Sequence, residues 1–347
     1  MVRAPGAMAE SAAAGASPAA DPHGPPTRLL AAPTARGAIR GARRRRPRGA
    51  GVPGPRRQRP ARRRAHRRGG GAGRTADRLP RDVRARLPVL ALDAHPARRR
   101  VLYANSIALP GEEADRIGAA ARAAKAWVAI GVSEREGGTL YNTLAWFDDA
   151  GALVARHRKL LQPTHVERSI WGRGDDRDVV VVDAPFGRLG GLICSEHLMD
   201  LNRYALAALG EQIHVAAWPA LSAVPYDPGA TGFDDYSLLC ARYHAVAAQA
   251  HVISVAPRID QAAIERLGLA GRPDVIREGG GATAIVDPNG RIVAGPHHDD
   301  EAIVCADLEP DAVADAKRFF DAAGHYARPD VFAFGVDRRP QTPLSGG

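Results

Sequence analysis

Cysteine is scarce: Cys194, Cys240 and Cys305 are all the sequence holds. An odd, sparse set without a secretory pattern excludes a disulfide framework and points to a reducing compartment, so a cytoplasmic location is expected. No apolar run reaches the ~20 residues of a membrane-spanning helix, so no membrane partner is expected. No apolar leader core is seen, and a signal peptide is not expected. Glutamate is missing between Glu10 and Glu112. Across residues 36–90 lysine is missing too, and the only acids are Asp77 and Asp82, set against 20 arginines.

That imbalance dominates the charge. The formal +10 is made of +18 from residues 36–90, nothing net from residues 1–35, and −8 from the remaining body. An arginine run suggests nucleic acid or anionic lipid. This one lacks interleaved aromatics and any recognisable reading fold, so a nucleic-acid partner is not expected. Residues 1–90, rich in Arg, Ala, Pro and Gly, carry too few apolar anchors to offset their ordering entropy and are predicted to be disordered. Residues 91–347 are long enough to bury a core and are read as one domain.

Within that body, helix-like and strand-like runs alternate. Glu112 to Lys125 reads as an Ala-rich helix, followed by strands at WVAIGV (127–132) and TLYNTLAWF (139–147). Val179–Val182 and Leu189–Cys194 read as strands, Arg203–Leu209 as a helix, and Ile213–Trp218 and Val252–Val255 as strands either side of a helix over Asp234–Ala250. Residues 282–296 are a hairpin turned by Asp287-Pro288-Asn289-Gly290, and a last strand in EAIVCADL precedes a last helix over Pro310–Phe320. Interleaved strands and helices give the α/β class.

The chemistry centres on GGLICSEH, residues 190–197, where Cys194 closes an apolar run. Alone, such a cysteine is more often a small buried hydrophobe than a nucleophile. Cys240 and Cys305 lack comparable context and are assigned to the core. Lys159, in the basic HRK patch, reads alone as a solvated charge, and Glu167 as a surface acid. His157, His165 and His197 read as local hydrogen-bonding residues.

Taken together, HRKLLQPTHVERSIWGRGD (157–175), GGLICSEHLMDLNRYALAALGEQIHVAAWP (190–219), GGGATAIVDPNGRIVAGP (279–296) and GHYARPDVF (324–332) resemble, in order and spacing, the nitrilase branch of the carbon–nitrogen hydrolase superfamily. The resemblance covers about residues 91–340. It implies a four-layer α-β-β-α sandwich that pairs through helices into homo-oligomers. It also implies a nitrile-to-acid hydrolysis needing no cofactor and no metal, with a small nitrile as substrate. Cys194 matches the nucleophile, Lys159 the cation that stabilises developing negative charge, and Glu167 a second glutamate that places substrate and nucleophile. The backbone N–H of Ser195 is the matching oxyanion donor, and Trp218 is either pocket wall or packing. Members usually carry Trp after the nucleophile, and here it is Ser195. An amidase or a nitrile- or cyanide-hydrating relative is the competing reading within the superfamily. Outside it the rivals are a nucleic-acid-binding protein with an inactive hydrolase domain and a structural pseudo-enzyme. In a protein with the complete family site, Lys159 is expected to make Cys194 the most acidic of the three thiols.

One part of the pattern is missing. The resemblance implies a general-base glutamate some 75–80 residues before Lys159, and a first strand and helix before that. Read one base out of register, each codon of residues 43–90 keeps two fixed bases and one free one, and the missing pattern is among the readings allowed: RRRRPRGA can be read as VAAVHAAP, GVPGPRRQRPARRRAH as PAFRDRDGNVQRAVAR, and GRTADRLPRDVRARLPVL as GARLIGFPETFVPGYPFW. One inserted base near codon 90 returns the frame to ALDAHPARRRVLYANS. The base's codon would straddle Arg81 and Asp82, neither of which can replace it. The N-terminal strands and helix of the sandwich are therefore expected to be missing, and this chain to be weakly active or inactive.

Overall fold

The alternation within Thr139–Phe147 sends Leu144 and Trp146 into one buried cluster, and Ala145 and Phe147 into another. A strand with both faces covered lies between two layers, because successive side chains point to opposite sides. The computed structural model of the chain describes residues 28–31, 96–220, 232–266, 268–273 and 277–338.

In chain order the elements are β1 (Arg28–Ala31), α1 (Pro96–Ala104), α2 (Glu112–Ala124), β2 (Val128–Glu136), β3 (Thr139–Phe147), β4 (Leu153–Arg158), the short α3 (His165–Arg168), β5 (Val182–Ala184) and β6 (Gly187–Ile193). They continue with α4 (Asp200–Ala208), β7 (Ile213–Ala217), α5 (Phe233–Ala248), β8 (His251–Val255), α6 (Gln261–Arg266), β9 (Thr283–Val286), β10 (Ile292–His297), β11 (Val304–Asp307) and α7 (Pro310–Phe319). Two main sheets have the orders β2-β3-β4 and β10-β9-β8-β7-β6-β5, and β1 and β11 form a third, two-stranded sheet. β6, β7 and β8 run parallel, with α4 and α5 as the crossovers, and the remaining pairs are antiparallel.

The two sheets face each other through Leu144 and Trp146 of β3 against Leu189 and Ile193 of β6. Outside the smaller sheet, α2 buries Ala114, Ile117 and Ala121 on Val132, Ala145 and Phe147. Outside the larger one, α5 contributes Cys240, Ala241 and Ala245 to the cluster holding Val252, Ile253 and Val286. The layers are therefore α-β-β-α, as the resemblance implied.

Several expectations need correction. Val179–Val182 is a strand only at its last residue; β5 starts at Val182. Helix α4 begins at Asp200 rather than Arg203. Cys305 is exposed on β11 rather than in the core, whereas Cys240 is buried. Arg28–Ala31, inside the segment expected to be disordered, forms β1, paired antiparallel with β11 from Arg28↔Asp307 to Ala31↔Val304. The arginine run lies outside the described residues. No helix among the described residues is long and apolar enough to cross a membrane.

Candidate active site

Parallel strands present their carboxyl ends on one side, and open α/β sheets commonly bind ligands there. Ile193 of β6 is in register with Ala217 of β7. The next residue of each strand is Cys194 and Trp218, so these two sit side by side at that edge. Gly190 and Gly191 make the approach possible. A Cβ on Gly190 would stand 2.0 Å from Glu211 Oε1, and one on Gly191 2.6 Å from Leu144 Cδ2. The GG of the sequence motif is thus a packing requirement on both faces of β6.

Cys194 ends the strand with φ of 54° and opens a 3₁₀ turn over Cys194–Leu198. A non-glycine residue in the left-handed region carries backbone strain and persists only where its surroundings hold it. Its side chain is 8% exposed. The thiol is pushed up to about 11: burial raises it, the neighbouring Lys159 ammonium opposes that, Glu167 adds to it, and a hydrogen bond from the Ser195 backbone N–H lowers it. In this chain desolvation outweighs the cation; the expectation of an acidic Cys194 concerns the protein with its missing segment restored.

Lys159 follows β4, its backbone N–H donating to Asn142 O at 2.8 Å. Its side chain is buried, and Nζ lies 3.5 Å from Glu167 Oε1. The second oxygen of Glu167 accepts from Thr164 Oγ1 at 2.8 Å and Thr164 N at 3.1 Å, while Thr164 Oγ1 accepts from Glu167 N. This reciprocal pairing at the start of α3 leaves one carboxylate oxygen for the lysine. Lys159, Glu167 and Cys194 thus share one electrostatic neighbourhood. Trp218 stacks on His197 with ring centroids 4.6 Å apart and donates through Nε1 to Ser254 Oγ at 3.0 Å.

What joins the two strand ends is Glu196, which the sequence reading missed. It is fully buried and accepts from Ile193 N at 2.9 Å, Leu160 N at 2.8 Å and His157 Nε2 at 2.8 Å. One carboxylate thereby ties the residue before Cys194 to the residue after Lys159. Charge compensates its burial. Burial alone raises the Glu196 pKa, but His157 and the two N–H donors bring it below the ordinary carboxylate value. His157 Nδ1 meets Asp178 O at 2.7 Å, so this ring does more than bond locally. Behind β4, Glu134 accepts from Arg156 and Arg158, fixing the strand that delivers Lys159.

A second buried group adjoins the first: His197, Glu211, His214 and His244. Among the described residues, Glu211, His214 and His244 are the cluster whose donor atoms lie close enough to hold a metal ion, within 4.8 Å of one another. Those atoms are engaged in hydrogen bonds of 2.6 Å (His214–Glu211) and 2.8 Å (His244–Glu211).

Comparison with known proteins gives the following. The carbon-nitrogen hydrolase family model matches residues 94–318. An aliphatic nitrilase of Rhodococcus rhodochrous is 39% identical over 246 residues, covering 70% of this chain and 66% of that protein. An arylacetone-specific nitrilase of Alcaligenes faecalis is 36% identical, covering 70% of this chain and 68% of that one. A nitrilase of Talaromyces marneffei is 37% identical, covering 67% and 74%. The chain thus spans about two thirds of the length of the first two. Among solved structures, a carbon-nitrogen hydrolase from Helicobacter pylori G27 superposes with a TM-score of 0.57 at 16% identity, covering 71% of this chain and 80% of that one, a likeness of fold.

Proposed function

Because this chain belongs to the carbon–nitrogen hydrolase family, we propose that it derives from an enzyme hydrolysing a nitrile to a carboxylic acid and ammonia. The observation that carries the reading is the convergence of Cys194, Lys159 and Glu167, locked together by Glu196. Its relatives named as nitrilases favour nitrile over amide.

Each residue has a role that its surroundings suit. The Cys194 sulfur adds to the nitrile carbon, and the thiol proton passes to nitrogen, giving a thioimidate. One water adds to the C=N carbon and ammonia leaves, giving a thioester. A second water releases the acid and restores the thiol. Every tetrahedral species on this path develops negative charge, and preorganised donors stabilise it. Lys159 supplies the cation, the Ser195 N–H supplies a backbone donor, Glu167 orients the lysine, and Trp218 walls the pocket beside the sulfur. No cofactor or metal enters these steps. The reaction also needs a proton acceptor for a thiol held near 11. Among the described residues, the nearby carboxylates of Glu167 and Glu196 are engaged with Lys159, Thr164, His157 and backbone N–H groups, and residues 43–90, where the out-of-frame reading puts the base, lie outside the described structure. The protein is proposed to work in the cytoplasm, where its three thiols stay reduced, and to associate with itself.

The test is ammonia release from aliphatic and aromatic nitriles by the frame-restored chain, with Cys194→Ala as control. Restored turnover that Cys194→Ala abolishes, with a covalent substrate adduct on Cys194 by mass spectrometry, is the expected result. Turnover that survives Cys194→Ala would sink the assignment.

A further inference from the structure

The buried histidines beside the nucleophile form a chain that ends on a specific atom. His197 Nδ1 lies 2.7 Å from Cys194 O. His197 Nε2 lies 2.9 Å from His214 Nε2, His214 Nδ1 lies 2.6 Å from Glu211 Oε1, and Glu211 Oε2 lies 2.8 Å from His244 Nε2. All four side chains are 0–1% exposed, so no water competes for these bonds.

Donor and acceptor counting fixes most of the protons. A carbonyl oxygen only accepts, so His197 Nδ1 carries a proton. His197 is held neutral: burial lowers its pKa well below the ordinary value, and His214, His244 and Arg203 lower it further. Its Nε2 is then bare and must accept, so His214 Nε2 donates. Burial alone raises the Glu211 pKa, but the two histidines more than offset it, to about 2, leaving a carboxylate. His244 donates through Nε2, and its buried Nδ1 has no hydrogen-bond partner, as befits the bare nitrogen of a neutral ring.

The far end of this chain matters because the Cys194 carbonyl and the Ser195 N–H are the two ends of one planar peptide unit. A bond to the oxygen holds that plane and polarises the amide, which strengthens the N–H as a donor. The plane follows a residue with φ of 54°, where the backbone needs such a hold. We infer that Glu211, His214 and His197 are positioning residues that anchor and polarise the Cys194–Ser195 peptide from behind, through the hydrogen-bond chain that ends on the Cys194 carbonyl oxygen. The inference deepens the reading of Cys194 as nucleophile, and the ring nitrogen that bonds the carbonyl is measurable without any turnover.

The experiment uses the full chain with ¹⁵N-labelled histidine. At pH 7 one ring, identified by its loss in His197→Asn, is expected to show a one-bond N–H coupling at Nδ1, the nitrogen that faces the Cys194 carbonyl oxygen. A bare Nδ1 on that ring overturns the inference, as does a stoichiometric metal retained at the cluster after chelator dialysis. The second reading is the alkylation rate of Cys194 by iodoacetamide, with Cys305 as internal reference. Lys159, Glu167 and Glu196 also face this thiol and are left intact. His197→Ala removes the donor to the carbonyl and is expected to slow Cys194 labelling about tenfold at fixed pH, one pKa unit upward. His197→Asn, whose amide can donate to the same oxygen, is expected to restore most of the rate. Equal rates in the parent and His197→Ala, or equal loss in Ala and Asn, count against the positioning role. The spectrum of the unsubstituted chain shows whether a ring with Nδ1 protonated and Nε2 bare is present even if a variant does not fold.

Discussion

Glu196 exposes no surface and accepts three hydrogen bonds, so its charge state and its geometry cannot be separated. Removing one member of a buried ion pair leaves the other uncompensated and costs about 3–5 kcal/mol; Glu196→Gln is expected to lower stability by about that amount, measured by urea unfolding. The pH dependence follows from two shifts of opposite sign. Burial lowers the His157 pKa, but the Glu196 carboxylate more than reverses this, leaving it above its ordinary 6.5. Its contribution is whole below pH 6.5 and is lost as pH rises through the folded value. Glu196 lies below its ordinary 4.5, so its contribution is whole above pH 4.5 and is lost as pH falls through the folded value. The pair stabilises most between these limits. In Glu196→Gln the decline above pH 6.5 should flatten; an unchanged slope there would exclude the pair as its source. The nucleophile gives a second prediction at this scale. With Cys194 buried near 11 and Cys305 exposed, iodoacetamide at pH 7.5 should modify Cys305 first, and the Cys194 rate should climb with pH toward 11. A Cys194 rate already level at pH 8 would show a thiolate that burial does not allow.

Helix α5 has two faces with different fates. Cys240, Ala241, His244, Ala245 and Ala248 are buried, whereas Leu239, Tyr243 and Val246 stand 67%, 53% and 47% exposed. Spacings of four and three residues put these three on one stripe. Leu198 and Leu201, in the turn before α4 and in α4 itself, are also exposed. Such a patch fits the proposed self-association. Leu239→Lys is expected to weaken it by about 2 kcal/mol, near 30-fold in dissociation constant, read as a fall in mass by light scattering at fixed concentration. A parent already monomeric at all concentrations would remove the idea. The elements also show what a sequence can display. The period-two run of β3, the Ala-rich α2 and the Asp-Pro-Asn-Gly turn between β9 and β10 were legible because local pattern and tertiary role agree. β4 was not. Its LVARHR reads as polar, yet His157 and Arg158 are buried, because Glu196 and Glu134 on other elements neutralise them. Glu196 and Glu211 stayed hidden for the same reason: a glutamate reads as surface until its partner is known. Cys194, Lys159 and Glu167 were legible only jointly, through the order of their motifs.

At the scale of the whole molecule, a three-stranded sheet faces a six-stranded one. The elements that an N-terminal strand, helix and base-bearing loop would supply fall in residues 32–95, outside the described structure. If residues 43–90 are coding sequence read one base out of register, the chain carries its nucleophile, its lysine and its second glutamate without the base that should take the thiol proton. The prediction is a pair of chains, this one and one with a base inserted near codon 90 and the upstream frame set to match, assayed side by side for ammonia release. Losing a general base alone removes about 10²–10⁴ in rate, and losses within one catalytic set do not add independently. Missing sandwich elements would further expose apolar surface and lower solubility. The restored chain is therefore expected to exceed this one by at least about a hundredfold on its best nitrile and to stay soluble at higher concentration. Equal activity in the two would refute both the frame reading and the need for the absent glutamate. If the restored chain is soluble and folded and labels at Cys194, yet releases ammonia from amides and not from nitriles, then the frame reading stands and the substrate assignment falls.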